Sequence, residues 1–162
     1  MNVPLKYLPK RLTKKDKKKQ AKQLKKSKAA YKKGIYIHRK PVDSYKSKKS
    51  QHILNAERIY NIKNLSVNNE LANKTGCSIG ALNKIIKKGM GAYYSSGSRP
   101  NQTPHSWGIA RLASSISGGK AAAVDYNILE EGCKSGSKAL KLAKKSRIKN
   151  GYGTRKVPKR KI

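Results

Sequence analysis

The stretch Ser66-Val67-Asn68-Asn69-Glu70-Leu71-Ala72-Asn73-Lys74-Thr75-Gly76-Cys77-Ser78-Ile79-Gly80-Ala81-Leu82-Asn83-Lys84-Ile85-Ile86-Lys87-Lys88-Gly89 decides how this chain is read. Ser66 is expected to cap a short helix through Glu70, Leu71 and Ala72. Thr75-Gly76-Cys77 reads as a turn, in which Gly76 supplies the positive φ that a tight corner between helices needs. Ser78 is expected to cap a second helix. There Ile79, Leu82, Ile85 and Ile86 recur at helical spacing and face inward, and Gly89 is expected to end it.

This spacing resembles the helix-turn-helix of DNA-binding repressors. Ala72, Gly76, Leu82 and Ile85 stand at the offsets where that motif wants a small residue, a glycine turn and two apolar anchors. The outward face of the second helix is expected to carry Gly80, Ala81, Asn83, Lys84, Lys87 and Lys88. An Asn side chain can pair with adenine, and lysines with phosphates. Ser78, Asn83, Lys84, Lys87 and Lys88 are therefore the nucleic-acid candidates. The same pattern also serves a plain helical hairpin in a small core, and the face has neither Arg nor Gln for base reading.

On either side of this middle the charge changes. Residues 1–50 hold 19 basic and 2 acidic groups, residues 51–133 hold 9 and 5, and residues 134–162 hold 12 and none. The formal net charge is +33 over 162 residues. A surplus of that kind calls for an acidic partner: DNA or RNA phosphates, anionic lipid heads or an acidic protein surface. Lysine-rich arms repel themselves, so both ends are expected to take their shape from neighbours. The arm candidates are Lys14, Lys15, Lys17, Lys18, Lys19, Lys22, Lys25 and Lys26, with Arg155, Lys156, Lys159, Arg160 and Lys161 at the far end.

The fold class that follows is mainly α. A small helical domain over about residues 50–133 is flanked by a basic arm with a surface helix (1–49) and by a basic C-terminal helix and tail (134–162). Thr13, with Asp16 three residues later, signals the start of a helix over 14–33 that stops at Gly34. Its apolar stripe (Ala21, Leu24, Tyr31) is thin, so the helix is expected to lie on an anionic or protein surface. Residues 35–49 read as extended. A helix after Ser50 presents Ile53, Leu54, Ala56 and Tyr60. Thr103-Pro104 opens a helix carrying Ile109, Leu112, Ala113 and Ile116, which Gly118-Gly119 closes. Another is expected over 121–131 and a last one after Ser137, followed by an extended tail. Hydrophobic content is 36%, Phe is absent and Tyr occurs nine times, a composition suited to half-wet packing.

Residues 89–106 are rich in Gly and Ser and read as a long contact loop. Tyr93, Tyr94, Arg99, His105 and Trp107 are its partner-contact candidates, with Trp107 at the edge of the core. No P-loop spacing accompanies it. Ser95, Ser96 and His105 lack an acid to orient the imidazole, so they do not read as a nucleophile and base. His38 and His52 read as surface residues. Seven acidic residues are too sparse for paired-carboxylate or two-metal chemistry, and Asp125, Glu130 and Glu131 fit a helix surface. Cys77 and Cys133 have no metal-ligand spacing and allow at most one disulfide; two reduced, partly buried thiols are expected, in an intracellular setting. The reading is non-enzymatic, with no metal and no cofactor. No apolar run is long enough to span a bilayer, and the N-terminus has no secretory pattern.

The segment Lys88-Gly89-Met90-Gly91-Ala92-Tyr93-Tyr94-Ser95-Ser96-Gly97-Ser98-Arg99-Pro100-Asn101-Gln102-Thr103-Pro104-His105-Ser106-Trp107-Gly108 continues into Ala110-Arg111-Leu112-Ala113-Ser114 and Gly118-Gly119-Lys120-Ala121-Ala122-Ala123-Val124-Asp125. Together with the lead-in Leu8-Pro9-Lys10-Arg11-Leu12-Thr13, it resembles a family of small basic proteins of nucleocytoplasmic large DNA viruses, notably the algal chloroviruses, and of some large phages. The likeness runs from about Tyr7 to Cys133. It implies a virion component: a minor capsid protein under the major shell, present in many copies. Its expected partners are the major and other minor capsid proteins, with the inner membrane surface or genome DNA as further neighbours. A DNA-binding virion or regulatory protein using residues 66–89 is the alternative, and a ribosomal or other RNA-assembly protein is a third reading.

Overall fold

Local capping signals account for most of the helix starts in the computed structural model, which describes residues 1–152 and 157–162. Among these residues the chain is mainly helical. β1 (Asn2–Pro4) is followed by α1 (Lys14–Lys32), α2 (Gln51–Ile59), α3 (Asn69–Thr75), α4 (Ile79–Ser95), α5 (Pro104–Ile116), α6 (Lys120–Val124), α7 (Tyr126–Gly132), α8 (Lys138–Asn150) and β2 (Lys159–Lys161). The hydroxyl of Thr13 accepts from the Asp16 N–H at 3.2 Å, that of Ser50 from His52, that of Thr103 from Ser106 and that of Ser137 from Leu140. Each satisfies one of the amides that a helix start leaves without a partner. The cap of α3 is Asn68, whose side chain accepts from the Leu71 N–H at 2.8 Å, rather than Ser66. No helix among the described residues is long and apolar enough to cross a membrane.

The described residues fall into two compact units. The first comprises residues 1–48, 90–107 and 157–162; the second comprises 49–89 and 108–152. Both α4 and α5 carry residues of each.

Residues 1–49 were expected to lack a core of their own, and the first unit supplies one. Val3, Tyr7, Leu8, Leu12, Leu24, Val42 and Tyr45 are all buried in one cluster, with Ala21 and Trp107 packed against it. α1 is therefore held by packing on its Gln20–Leu24–Ser27 side, while Lys14, Lys15, Lys18, Lys22, Lys25 and Lys26 stay in solvent. The C-terminal tail is also tied down by this chain itself. β2 pairs antiparallel with β1, Val3 opposite Arg160, so Lys159, Arg160 and Lys161 stand on an exposed strand. Arg155 and Lys156 lie outside the described residues.

Segment 35–49 forms no helix or strand, and side chains satisfy its backbone instead. The Gln23 amide accepts from the Lys40 N–H at 2.6 Å and donates to the Lys40 carbonyl at 3.0 Å. Asn101 accepts from the Val42 N–H and donates to the carbonyls of Val42 and Tyr45. Asp16 accepts from both the backbone and the hydroxyl of Ser44. These hydroxyl and amide bonds hold the Asp16 carboxyl below its usual range. Buried backbone groups need partners, and three polar side chains provide them here in place of a sheet.

In the second unit the buried residues are mostly aliphatic or Ala: Ala56, Leu71, Leu82, Ile85, Leu112, Ala113, Ile116, Ala121, Ala122, Ala123, Leu129, Ala139 and Ala143. The expected helix over 121–131 is two helices, broken at Asp125. That residue was expected on a surface and is 1% exposed. Its carboxylate accepts from Arg111 Nε at 2.9 Å and Nη2 at 2.7 Å, and from the Ser115 hydroxyl at 2.9 Å, with Lys88 Nζ at 3.3 Å. Burial pushes the carboxyl up, but the Arg111 bonds and charge, with Ser115 and Lys88, hold it below its ordinary value. A buried charge is tolerated only with partners of this kind.

Candidate functional site

The corner between α3 and α4 is built from three linked features. Gly76 sits at φ +77°, the left-handed conformation that lets α3 end and the chain reverse. Thr75 is fully buried, and its hydroxyl donates to the Leu71 carbonyl while accepting from the Cys77 N–H. The corner is then fastened to the segment after α7: the Ser78 N–H donates to the Gly132 carbonyl and the Lys134 N–H to the Gly76 carbonyl, each at 2.8 Å. Cys77 and Cys133 face each other across this isolated antiparallel bridge and are joined as a disulfide. The expectation of two reduced thiols is thus corrected. Their separation of 56 residues hid a pairing that only the tertiary contact creates.

From this anchored start α4 runs on with Leu82 and Ile85 fully buried and Ile86 nearly so. Ser78, Gly80, Asn83, Lys84, Lys87 and Lys88 are exposed together on the other side. Every nucleic-acid candidate therefore lies on one solvent-facing strip, at the start of the helix and along its first three turns. Two assignments change. Ile79 was expected inward but is 39% exposed, so it joins the strip. Ala81 was expected outward but is buried against Gly132, where a Cβ would collide with the Ala81 Cβ. The buried face of α4 is thus turned about the helix axis from the expected one, with Ala81 packed at Gly132. Lys88 is shared with Asp125, which leaves Lys84 and Lys87 as the lysines of the strip outside any ion pair among the described residues.

Gly89 does not end α4. Within the second unit, a Cβ there would meet the Gly108 Cα at 2.6 Å, so the glycine permits a close crossing of α4 and α5 rather than a break. The helix continues to Ser95, and the expected contact loop shortens to residues 96–103.

The partner-contact candidates are accordingly dispersed. Tyr93 is 1% exposed and cannot anchor a partner. Its ring lies under the Arg39 guanidinium (3.8 Å to the ring centre), and its hydroxyl accepts from the Arg39 N–H at 2.8 Å. Arg39 also donates to Ser27, Ser98 and the Tyr93 carbonyl, and burial holds its pKa below the ordinary arginine value despite the nearby tyrosines. The cation that organises this region is Arg39, which the sequence reading passed over; no local pattern distinguishes it from its neighbours. Trp107 is half-buried edge-on to Tyr7, with ring centres 6.0 Å apart. Arg99 and His105 are exposed. Tyr94 is half-buried, with its hydroxyl 2.9 Å from His38 Nε2. Among the described residues no group of three or more His, Cys, Asp or Glu could hold a metal ion.

Residues 4–130 match the model of a family of unknown function, DUF5824. No curated protein and no solved structure matches the chain.

Proposed function

We propose that this chain, which belongs to the DUF5824 family of unknown function over residues 4–130, is a non-enzymatic DNA-binding protein that lays the exposed strip of α4 on duplex DNA. One observation carries the reading. The disulfide-anchored α3–α4 corner presents Ser78, Ile79, Gly80, Asn83, Lys84 and Lys87 on a single exposed strip while Leu82 and Ile85 are buried. The start of a helix that follows such a corner is the part that enters a major groove in helix-turn-helix proteins. Gly80, with open space around its Cα, allows close backbone approach. Asn83 has the donor–acceptor pair that fits adenine, and Lys84 and Lys87 reach flanking phosphates. The chain's net charge of +33 adds sequence-independent attraction.

The test is duplex binding by the full-length protein across a salt series. Lys84→Ala/Lys87→Ala should weaken affinity for all sequences and lower the salt slope by about one per lysine, while Asn83→Ala should relax preference at one base pair. Unchanged affinity and slope in the double variant would remove α4 as the contact.

A second reading is favoured by the exposed lysine row of α1 (Lys14, Lys15, Lys18, Lys22, Lys25, Lys26), a single-sign face suited to an acidic partner surface. In it the chain is a minor capsid protein of a large icosahedral DNA virus. It is held in many copies beneath the major capsid shell, against other minor capsid proteins, the inner membrane or the genome. Cross-linking of intact virions that joins α1 to capsid chains would support it; absence of the chain from purified virions would end it. It ranks second because its support was arms shaped by neighbours, whereas residues 1–48 pack a buried cluster together with residues 90–107 and 157–162 of this chain.

A further inference from the structure

Within the first unit, α1 ends at Lys32, and the chain turns back so that Tyr31, Tyr36, His38 and Tyr94 form one row of rings. The ring centres are 5.9 Å apart for Tyr31 and Tyr36, 5.0 Å for Tyr36 and Tyr94, and 5.9 Å for Tyr94 and His38. Rings that cluster to bury apolar area normally leave little of themselves in water. Here Tyr36 is 65% exposed and Tyr31 38%, with Ile35 beside them at 54%. The row is backed at Tyr94, which packs edge-on against the buried Tyr93 at 5.2 Å. The surroundings are cationic: residues 17–42 contain eleven Lys and Arg and no acidic residue. Lys28 lies one helical turn before Tyr31, and Lys32 and Lys33 follow it.

We propose that this row is a stacking platform for the unpaired bases of a single-stranded nucleic acid, with the lysines at the end of α1 tracking its phosphates. Aromatic faces in a field of one positive sign are what unpaired bases on a polyanionic backbone require, because every base offers a π-face whatever its sequence. Double-stranded DNA keeps its bases stacked inside and cannot use the rings. The site is therefore chemically distinct from the α4 strip, and it does not rest on that reading.

The experiment compares full-length wild type, Tyr36→Ala, Tyr31→Ala and Tyr36→Phe for binding to an oligothymidylate of about 16 nucleotides and to an abasic oligomer of equal length and charge. Wild type should bind the oligothymidylate more tightly than the abasic oligomer. Either alanine variant should lose about tenfold on the oligothymidylate and little on the abasic one, and Tyr36→Phe should retain most of the affinity. Tyr36 is mostly in solvent, so its loss should leave the circular dichroism spectrum unchanged, and Tyr31→Ala gives an independent check. Equal binding of the two oligomers by wild type would overturn the proposal and leave the rings as a protein-contact surface. Equal oligothymidylate affinity in wild type and both alanine variants would overturn it too. Lys84→Ala/Lys87→Ala should leave oligothymidylate binding intact while reducing duplex binding, so the two proposals fail separately.

Discussion

The two units of this chain solve the problem of a large positive charge in different ways. The second carries the smaller surplus of positive charge, holds five of the seven acidic residues, and has a mostly aliphatic interior. It buries Ala and branched residues, holds one carboxylate with Arg111, Ser115 and Lys88, and ties residue 77 to residue 133 covalently. All four ion pairs among the described residues lie there. The first unit carries most of the lysines and forms none of those pairs. Its order comes from a seven-residue core and from polar side chains that take the place of a sheet: Gln23, Asn101, Asp16 and Arg39. The lysines of α1 leave the buried side of the helix to Gln20, Leu24 and Ser27.

The comparison breaks most visibly at the disulfide. Cys133→Ser removes a link closing a loop of 56 residues, and chain entropy puts the loss at about 4 kcal/mol. Chemical denaturation with hydrogen exchange should find the loss in α3, α4 and α7, with α1 protected as before. In the first unit, Leu24→Ala empties a side chain that is 1% exposed and should cost about 3 kcal/mol, with lost protection centred on α1 and residues 40–45. If that variant is as stable as wild type, the core of residues 1–48 does not hold α1. Asp125→Asn keeps the shape and some of the hydrogen bonds but not the charge, and should cost roughly 2–3 kcal/mol at neutral pH. The unfolded carboxyl titrates at about 3.9 and the folded one below it, so its contribution is complete above the unfolded value and fades as the pH falls through the lower folded one. The acid limb of a stability–pH curve should be shallower in Asp125→Asn than in wild type.

How much of this was legible depends on how local the cause is. Capping by Thr13, Ser50, Thr103 and Ser137 involves groups two or three residues apart, so the sequence announced those helix starts. Gly76 was legible for the same reason. Gly89 was misread as a stop because its cause is a helix crossing, not a turn: only the proximity of Gly108 explains it. The break at Asp125, the Cys77–Cys133 link and the β1–β2 pair of the two chain ends rest on contacts between residues far apart in sequence. Of the candidate site, the exposed lysines and Asn83 followed from helical spacing. The inward roll of Ala81 and the burial of Tyr93 depended on neighbours that no local pattern names.

The central claim, that α4 and not charge alone meets DNA, is tested most directly by an NMR titration of the full-length protein with a short duplex. The salt should be about 200 mM, where purely electrostatic contacts weaken. Amide shifts should concentrate on Ser78, Gly80, Asn83, Lys84 and Lys87. Shifts confined to residues 14–26, fading as salt rises, would contradict the account.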